Sequence, residues 1–338
     1  MQVSQRASFF LMHHSNYASS SLNEILPAMI TDVPGITVGH NTNHEALTGC
    51  TVVLVPPKTA ASCDVRGSAP GSRELALLSP DKQTQEIHAV LLTGGSAFGL
   101  GAANGVMRFL SEKGIGYKTP WALVPIVPSA VIFDLNVGDS KVFPTDQDAY
   151  LACKEASKEF QLGSVGAGIG ATVGKWNGLQ SAMKGGVGSY SVTQGNVVVG
   201  AIAVVNAVGD IIGPDGQILA GAILEGKFLG EKRRLVSLLD DTLLVRNINT
   251  TLVVVATNAR LSKVDCYRVA QRAHDGMARA IVPSHTTFDG DTAFALSAGN
   301  VRVPVDLVAE MGAEAVAGSI RSAVKGSIPL SRPASLQG

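Results

Sequence analysis

Val245-Arg246-Asn247-Ile248-Asn249-Thr250-Thr251-Leu252-Val253-Val254-Val255-Ala256-Thr257-Asn258 changes character at one point. Up to Asn249 the stretch is polar and charged. From Leu252 to Thr257 it is a β-branched run too apolar to lie anywhere but in a core, which predicts a buried strand. Two threonines stand at the junction. One reading is an ordinary loop entering a strand that opens with residues of good β-propensity. The other is chemical. The Thr250 hydroxyl attacks the Asn249 carbonyl, water opens the resulting ester, and Thr250 becomes a new N-terminus. A threonine hydroxyl is a weak nucleophile, but an α-amine on the same residue, of ordinary pKa about 7.7–8.0, can take its proton near neutral pH. Backbone strain would assist such a cut, and Asn adopts unusual backbone angles more readily than most residues.

Upstream of the junction, Glu225 to Asn249 carries Lys227, Glu231, Lys232, Arg233, Arg234, Asp240, Asp241 and Arg246 and reads as a surface linker, where scission is tolerated. Strands are expected at Ile30 to His40 (with a Pro34-Gly35 turn), Thr51 to Val55 (closed by Pro56-Pro57), Ala89 to Leu92, Val124 to Asp134 and Val197 to Asn206. Cys63 to Gly71 reads as a glycine-punctuated loop. Helices are expected from about Leu100 to Lys113, over Asp146 to Glu159, Lys263 to Ile281 and Val305 to Val324, with an irregular tail from Pro329. Strands and helices come in blocks rather than in strict alternation. That favours layered α+β packing over a doubly wound parallel sheet.

Of the 338 residues 46% are hydrophobic and 16% charged, so the chain can bury a sizeable core. The 27 basic and 27 acidic residues cancel, which argues against nucleic acid or an anionic membrane as partner. No apolar run is long enough for a transmembrane helix. Residues 1–28 are polar and read as a loose extension or the product of an upstream start, with residues 29–330 as one domain. Cys50, Cys63, Cys153 and Cys266 form no CxxC pair and fit no metal site, so they are expected to be reduced and mostly buried, as in the cytoplasm.

Four blocks carry a family resemblance: Arg66-Gly67-Ser68-Ala69-Pro70-Gly71-Ser72-Arg73-Glu74, Thr93-Gly94-Gly95-Ser96-Ala97-Phe98-Gly99-Leu100, Pro128-Ser129-Ala130-Val131-Ile132-Phe133-Asp134-Leu135 and Asn249 to Asn258. In this order they resemble the signatures of the P1 (S58) peptidase family, from about Ile30 to Lys325. That family includes the DmpA-type aminopeptidases, the β-peptidyl aminopeptidases and the 6-aminohexanoate-oligomer (nylon-oligomer) hydrolases. The resemblance implies an N-terminal-nucleophile hydrolase of the DOM type with an α+β, αββα sandwich. It implies self-cleavage into fragments 1–249 (α) and 250–338 (β), which stay associated and assemble into homo-oligomers of the αβ unit. It implies no metal and no cofactor.

Carried over by position, Thr250 matches the nucleophile, which is Ser in the aminopeptidases and Thr in the nylon-oligomer branch. Lys175 matches an active-site lysine that would bond the nucleophile and keep its α-amine neutral by like-charge repulsion. Asn206 matches an oxyanion-hole asparagine, a type of donor worth about 10²–10³ in rate. Without the family, Lys175 would read as a solvated surface lysine and Asn206 as a turn residue ending a strand. Asp289 and Asp291 match the acidic pair of the nylon-oligomer branch, in place of a Ser and a Glu in the aminopeptidases. The pair would orient the Thr250 amine and hydroxyl. Asp-Gly-Asp could suggest a calcium loop, but the further ligands of an EF-hand are missing. His285 reads as structural, because the sequence supplies it no partner.

Two departures stand out. The nylon-oligomer hydrolases carry Tyr where this chain has Phe133, and the aminopeptidases carry Gly where it has Asn249. Phe133, Gly94 and Gly95 are the remaining candidates for substrate contact. The turn at Gly94-Gly95-Ser96 could be read as an anion site, but it fits neither G-x-G-x-x-G nor the P-loop and reads as close backbone packing near the active site. The expected activity is hydrolysis of short peptides or amide oligomers through an acyl-Thr250 intermediate. Three alternatives stay open: an acyltransferase of the ornithine acetyltransferase type, an unprocessed binding protein on the same scaffold, and a nucleotide-binding oxidoreductase suggested only by the glycine turn.

Overall fold

The computed structural model describes residues 28–230, 234–235 and 249–330 of the uncut chain. The extension before Ala28, most of the linker before Asn249 and the tail beyond Leu330 lie outside the described residues.

Nine strands form one sheet. They are β1 (Thr37–Asn43), β2 (Thr48–Val65), β3 (Ser72–Arg73), β4 (Glu86–Thr93), β5 (Ser129–Val131), β6 (Gly186–Gln194), β7 (Val197–Asn206), β8 (Thr250–Ala259) and β9 (Thr292–Val301). Their order is β6-β7-β8-β9-β2-β4-β5-β3, with β1 also paired to β2. Four principal helices flank the sheet: α1 (Ala103–Glu112), α2 (Asp146–Lys154), α3 (Lys263–Ala280) and α4 (Val305–Ala323).

The layering follows from side-chain alternation along the strands. In β8, Val253 and Val255 point into an apolar layer shared with Val269 of α3 and Val316 of α4. Leu252, Val254 and Ala256 point the other way, into a layer that also holds Ile202 of β7, Val53 of β2 and Val90 and Leu92 of β4. The opposite faces of β2 and β4, through Val52, Ala89 and Leu91, pack on Val106 and Leu110 of α1 and Ala152 of α2. Residues from both ends of the sheet thus share the middle layer, so the sheet is folded over on itself. The result is four layers, α, β, β, α, as expected from the resemblance.

The fold-over runs through β2. Its first half, Cys50 to Leu54, pairs with β4, and its second half, Ala60 to Val65, pairs with β9. The register with β4 shifts between Leu54 and Thr59, at Pro56-Pro57-Lys58, where Lys58 has φ 64°. Proline is tolerated at such a bulge, and the bulge bends the strand. The expected end of the strand at Pro56-Pro57 is therefore a bend, and the start of the expected Cys63–Gly71 loop is strand.

Other differences are local. Val124 to Asp134 is no single strand: Pro125 and Pro128 leave only Leu123–Val124 and Ser129–Val131 extended. Ile30 to Asp32 is a 3₁₀ turn, and the strand begins at Thr37. β6 and β9 were not anticipated. Both lack the aliphatic density of β7 and β8, yet they flank those strands. The helix borders hold within three residues except that α2 ends at Lys154 and not at Glu159, and α2 and α3 carry capping boxes, Thr145 with Asp148 and Ser262 with Asp265. Cys50, Cys153 and Cys266 are buried, Cys63 is half-buried, and none is in a disulfide. No helix among the described residues is long and apolar enough to cross a membrane.

Phe294 of β9 is fully buried in the middle layer. Phe294→Ala is expected to lower unfolding stability by about 3–5 kcal/mol, read as a shift in the denaturant midpoint at constant slope.

Candidate active site

Thr250 is the first residue of β8 and pairs across the antiparallel ladder with Asn206, the last residue of β7. Both are buried. The Thr250 hydroxyl lies 2.5 Å from the carbonyl oxygen of Asn249, the residue to which it is joined. The same oxygen accepts the backbone N–H of Gly290 at 2.9 Å. The carbonyl of the Asn249–Thr250 peptide therefore has the candidate nucleophile beside it and a hydrogen-bond donor polarising it.

Lys175 reaches this place from a 3₁₀ turn, Lys175–Asn177, that follows Gly174 in the left-handed conformation (φ 71°). The turn is fastened to the residues after β7 by Gly174 N to Gly209 O and Lys175 N to Val208 O, each 2.9 Å. The lysine is completely buried, not solvated at the surface. Its Nζ donates to the Asn206 side-chain oxygen at 2.7 Å and to the Asn206 carbonyl at 3.1 Å. Burial pushes the amine down to about 7, with the charge of Asp289 opposing. The Asn206 oxygen also accepts from Thr172 N at 3.0 Å, and its amide group donates to the Phe133 carbonyl at 3.2 Å. Asn206 is thus oriented from both ends. Phe133 meets the site through its backbone, so the missing tyrosine hydroxyl does not affect this contact.

The acidic pair lies directly before β9. Asp289 forms a parallel bridge with Asn249. Its carboxylate accepts Thr286 N at 2.9 Å and Thr286 Oγ1 at 2.5 Å. Burial raises Asp289 to about 6, Asp291 adds to the rise, and the Thr286 bonds and Lys175 oppose it. Asp291 bonds the residue after Thr250 and not the Thr250 hydroxyl. Its Oδ1 accepts Thr251 N at 2.7 Å, and its Oδ2 contacts His285 Nδ1 at 2.8 Å. No motif in the sequence points to this partner for His285.

The Arg66–Gly71 loop closes over the pair. Arg66 N and Gly67 N donate to Asp291 O, and Ala69 N donates to Asp289 O. A Cβ at Gly67 would stand 2.2 Å from Asp291 N, and one at Gly290 would stand 2.7 Å from the Thr250 hydroxyl. Those two glycines are needed because backbone passes where a side chain would have to go.

Gly94 and Gly95 make a different contact. Gly95 N donates to the buried Asp134 carboxylate at 2.7 Å, Thr48 Oγ1 donates to its other oxygen at 2.7 Å, and Gly94 N donates to Gly49 O at 2.9 Å. The turn clasps a carboxylate of its own chain and lies close against Phe143 and Pro144, which favours the packing reading over an anion site. In the linker segment, Arg234 is buried rather than exposed, 3.5 Å from Asp210, which also accepts the Trp176 indole N–H at 2.8 Å. Sequence reasoning missed this anchor beside the Lys175 turn, as it missed Gly290 N, Thr172 and Thr286. Of these, only Thr286, three residues before Asp289, carries a local turn signal.

A profile of Peptidase family S58 matches residues 28–329. The chain is 45% identical over 291 residues to a protein of Mycobacterium tuberculosis named as an uncharacterized aminopeptidase, covering 81% of this chain and 83% of that one. It is 33% identical over 285 residues to a 6-aminohexanoate-oligomer endohydrolase of Kocuria sp., covering 81% and 76%. Among solved structures, the L-aminopeptidase D-Ala-esterase/amidase of Ochrobactrum anthropi, described as a variant of the Ntn hydrolase fold, superposes with TM-score 0.67 at 20% identity, covering 88% of this chain and 86% of that one. A Burkholderia sp. beta-aminopeptidase superposes with TM-score 0.66 at 21% identity, covering 88% and 87%. At these identities the two superpositions speak to the fold.

In a Thr250→Ala background, NMR of ¹³C-labelled lysine is expected to show Lys175 titrating near 7. Adding Asp289→Asn should move it lower, because the opposing carboxylate is gone. Titration at the ordinary lysine value would contradict the buried, desolvated amine.

Proposed function

The chain belongs to peptidase family S58 and is a hydrolase of peptide or amide bonds, and from that premise we propose that it cuts itself before Thr250 and then uses the new N-terminal threonine as its nucleophile. The observation that carries this reading is the Thr250 hydroxyl 2.5 Å from the Asn249 carbonyl oxygen at the buried end of β8.

Thr250 Oγ1 adds to the Asn249 carbonyl carbon as its proton passes to a base. Lys175 is the base, since its amine stands against Asn206, the strand partner of Thr250, and is held near neutrality by burial. Gly290 N–H supports the negative charge that develops on the Asn249 oxygen. The C–N bond then breaks, the Thr250 nitrogen leaves with a proton as an amine, and an ester joins Asn249 to Oγ1. Water opens that ester, freeing the Asn249 carboxylate and the Thr250 hydroxyl.

The mature cycle repeats these steps on a substrate amide. The free Thr250 amine takes the hydroxyl proton, and Asn206 supplies an amide donor to the tetrahedral intermediate. The Asp289–Asp291 pair orients the amine. The substrate is a short peptide or amide oligomer with a free amino end, in keeping with the relatives' names. Fragments 1–249 and 250–338 stay together, a reading supported by β8 being paired on both edges within the sheet. The αβ units form homo-oligomers.

Intact-mass spectrometry of wild type beside Thr250→Ala tests the cut. Fragments of about 26 and 9 kDa, scaled by length, are expected in wild type and absent in the variant. A single uncut mass in both would sink the proposal. The cutting rate should rise with pH through about 7 as Lys175 loses its proton. Lys175→Gln should flatten that rise and slow the cut by about 100-fold or more. Products with and without an added amine acceptor separate hydrolysis from acyl transfer.

A further inference from the structure

We propose that His285 is a positioning residue for the Thr250 site: it grips Asp291 with its backbone and its ring at once, and through Asp291 sets where strand β8 begins. The inference rests on the reading of Thr250 as nucleophile and adds a residue that neither the sequence pattern nor the comparisons assign.

The parallel ladder between β8 and β9 starts at Leu252, opposite Thr292. One residue earlier the ladder has no strand to bond, and the Asp291 carboxylate takes its place, accepting Thr251 N at 2.7 Å. That bond anchors the peptide immediately after the nucleophile. Its geometry depends on the carboxylate being held, and His285 holds it. His285 N lies 3.1 Å and Nδ1 2.8 Å from the same oxygen, Asp291 Oδ2. To make both contacts His285 adopts φ 56°, a backbone state that a residue with a side chain keeps only when its surroundings enforce it.

The surroundings select which ring carries charge. His285 meets His274 of α3 edge to face, with centroids 4.8 Å apart. His274 is buried, contacts the Asp64 carbonyl through Nε2 at 3.1 Å, and is driven down to about 4 by that burial. It stays neutral. His285 is raised: burial opposes its charge, but the bond and charge of Asp291 outweigh it, against a smaller opposing effect from Arg66. The groups facing the pair are therefore Asp291 on its own loop, the ring and carbonyl of His274 on α3, and Asp64 and Arg66 at the end of β2. Of the two rings, His285 is the one whose charged form is favoured, against Asp291.

Two variants test this. His285→Gly keeps the left-handed backbone and removes the ring. His285→Asn keeps a donor near the Nδ1 position and also tolerates this backbone. His285→Gly is expected to slow both self-cleavage and kcat on an aminoacyl amide by about 10- to 100-fold, with KM little changed. His285→Asn should recover most of that loss. Wild-type rates in His285→Gly, or a His285→Asn variant no better than His285→Gly, would overturn the proposal.

Stability against pH gives a second readout, which needs only His285→Asn to fold. The folded-state value of His285 lies above its ordinary 6.5. The charged pair therefore contributes fully below the ordinary value and is lost as pH rises through the raised one. The stability advantage of wild type over His285→Asn should be larger at about pH 6 than at about pH 9. A difference independent of pH would also count against the proposal. A wild-type chain that stays uncut would count against Thr250 as nucleophile, and His285 would then be judged on the pH comparison alone.

Discussion

Strand β8 is paired on both edges almost from its first residue, and this constraint organises the site. β7 holds it antiparallel, with Asn206 opposite Thr250, and β9 holds it parallel from Leu252 onward. A strand in that position cannot slip. A shift of one residue would exchange Leu252 and Val254 for Thr251 and Val253 in the middle layer and turn every side chain to the wrong face. The end of the strand is therefore a fixed point, and Thr250 occupies it. Breaking the peptide before Thr250 would remove one covalent bond and none of the ladder.

Around that point the fold assembles ionisable groups in a place that disfavours charge. Lys175 is fully buried and Asp289 nearly so, and desolvation moves them toward each other, down to about 7 and up to about 6. Each partly restores the charge of the other, yet burial leaves both less readily charged than in water. A neutral amine able to accept a proton is the useful outcome, since a solvated lysine would be protonated at that pH. The hydrogen bonds from Lys175 to both oxygens of Asn206 hold the amine against the strand partner of Thr250. The same bonds orient the asparagine, whose amide group is held toward Phe133.

Much of the framework was legible in the sequence because aliphatic periodicity reports burial directly. β7 and the helices α3 and α4 fall almost where their patterns end, and the apolar run after Thr251 is the interior of β8. β6 and β9 escaped notice for the complementary reason. Their segments, Gly186-Val187-Gly188-Ser189-Tyr190-Ser191 and Thr292-Ala293-Phe294-Ala295-Leu296-Ser297, are rich in small and hydroxyl residues. Small residues suit strands on which a helix lies closely: a Cβ at Gly188 would stand 2.0 Å from the Ser319 carbonyl of α4. β2 misled through Pro56-Pro57, a pair that ends most strands but here sits in a bulge where no ladder bond is needed.

The sequence by itself determined the kinds of layer, the position of the polar-to-apolar junction at Thr250, and, through family resemblance, the residue types of the site. Those properties are local, or are carried by motifs that survive without coordinates. Tertiary structure alone decided that Lys175 is buried with its amine pushed down to about 7, that Gly290 N–H faces the Asn249 carbonyl, and that Asp291 bonds Thr251 and His285. Each of these joins segments from 31 to 41 residues apart in the chain, or turns on which oxygen of a carboxylate points where. Desolvation and hydrogen-bond direction depend on what the folded chain brings alongside, and no pattern of residues along the chain encodes them locally.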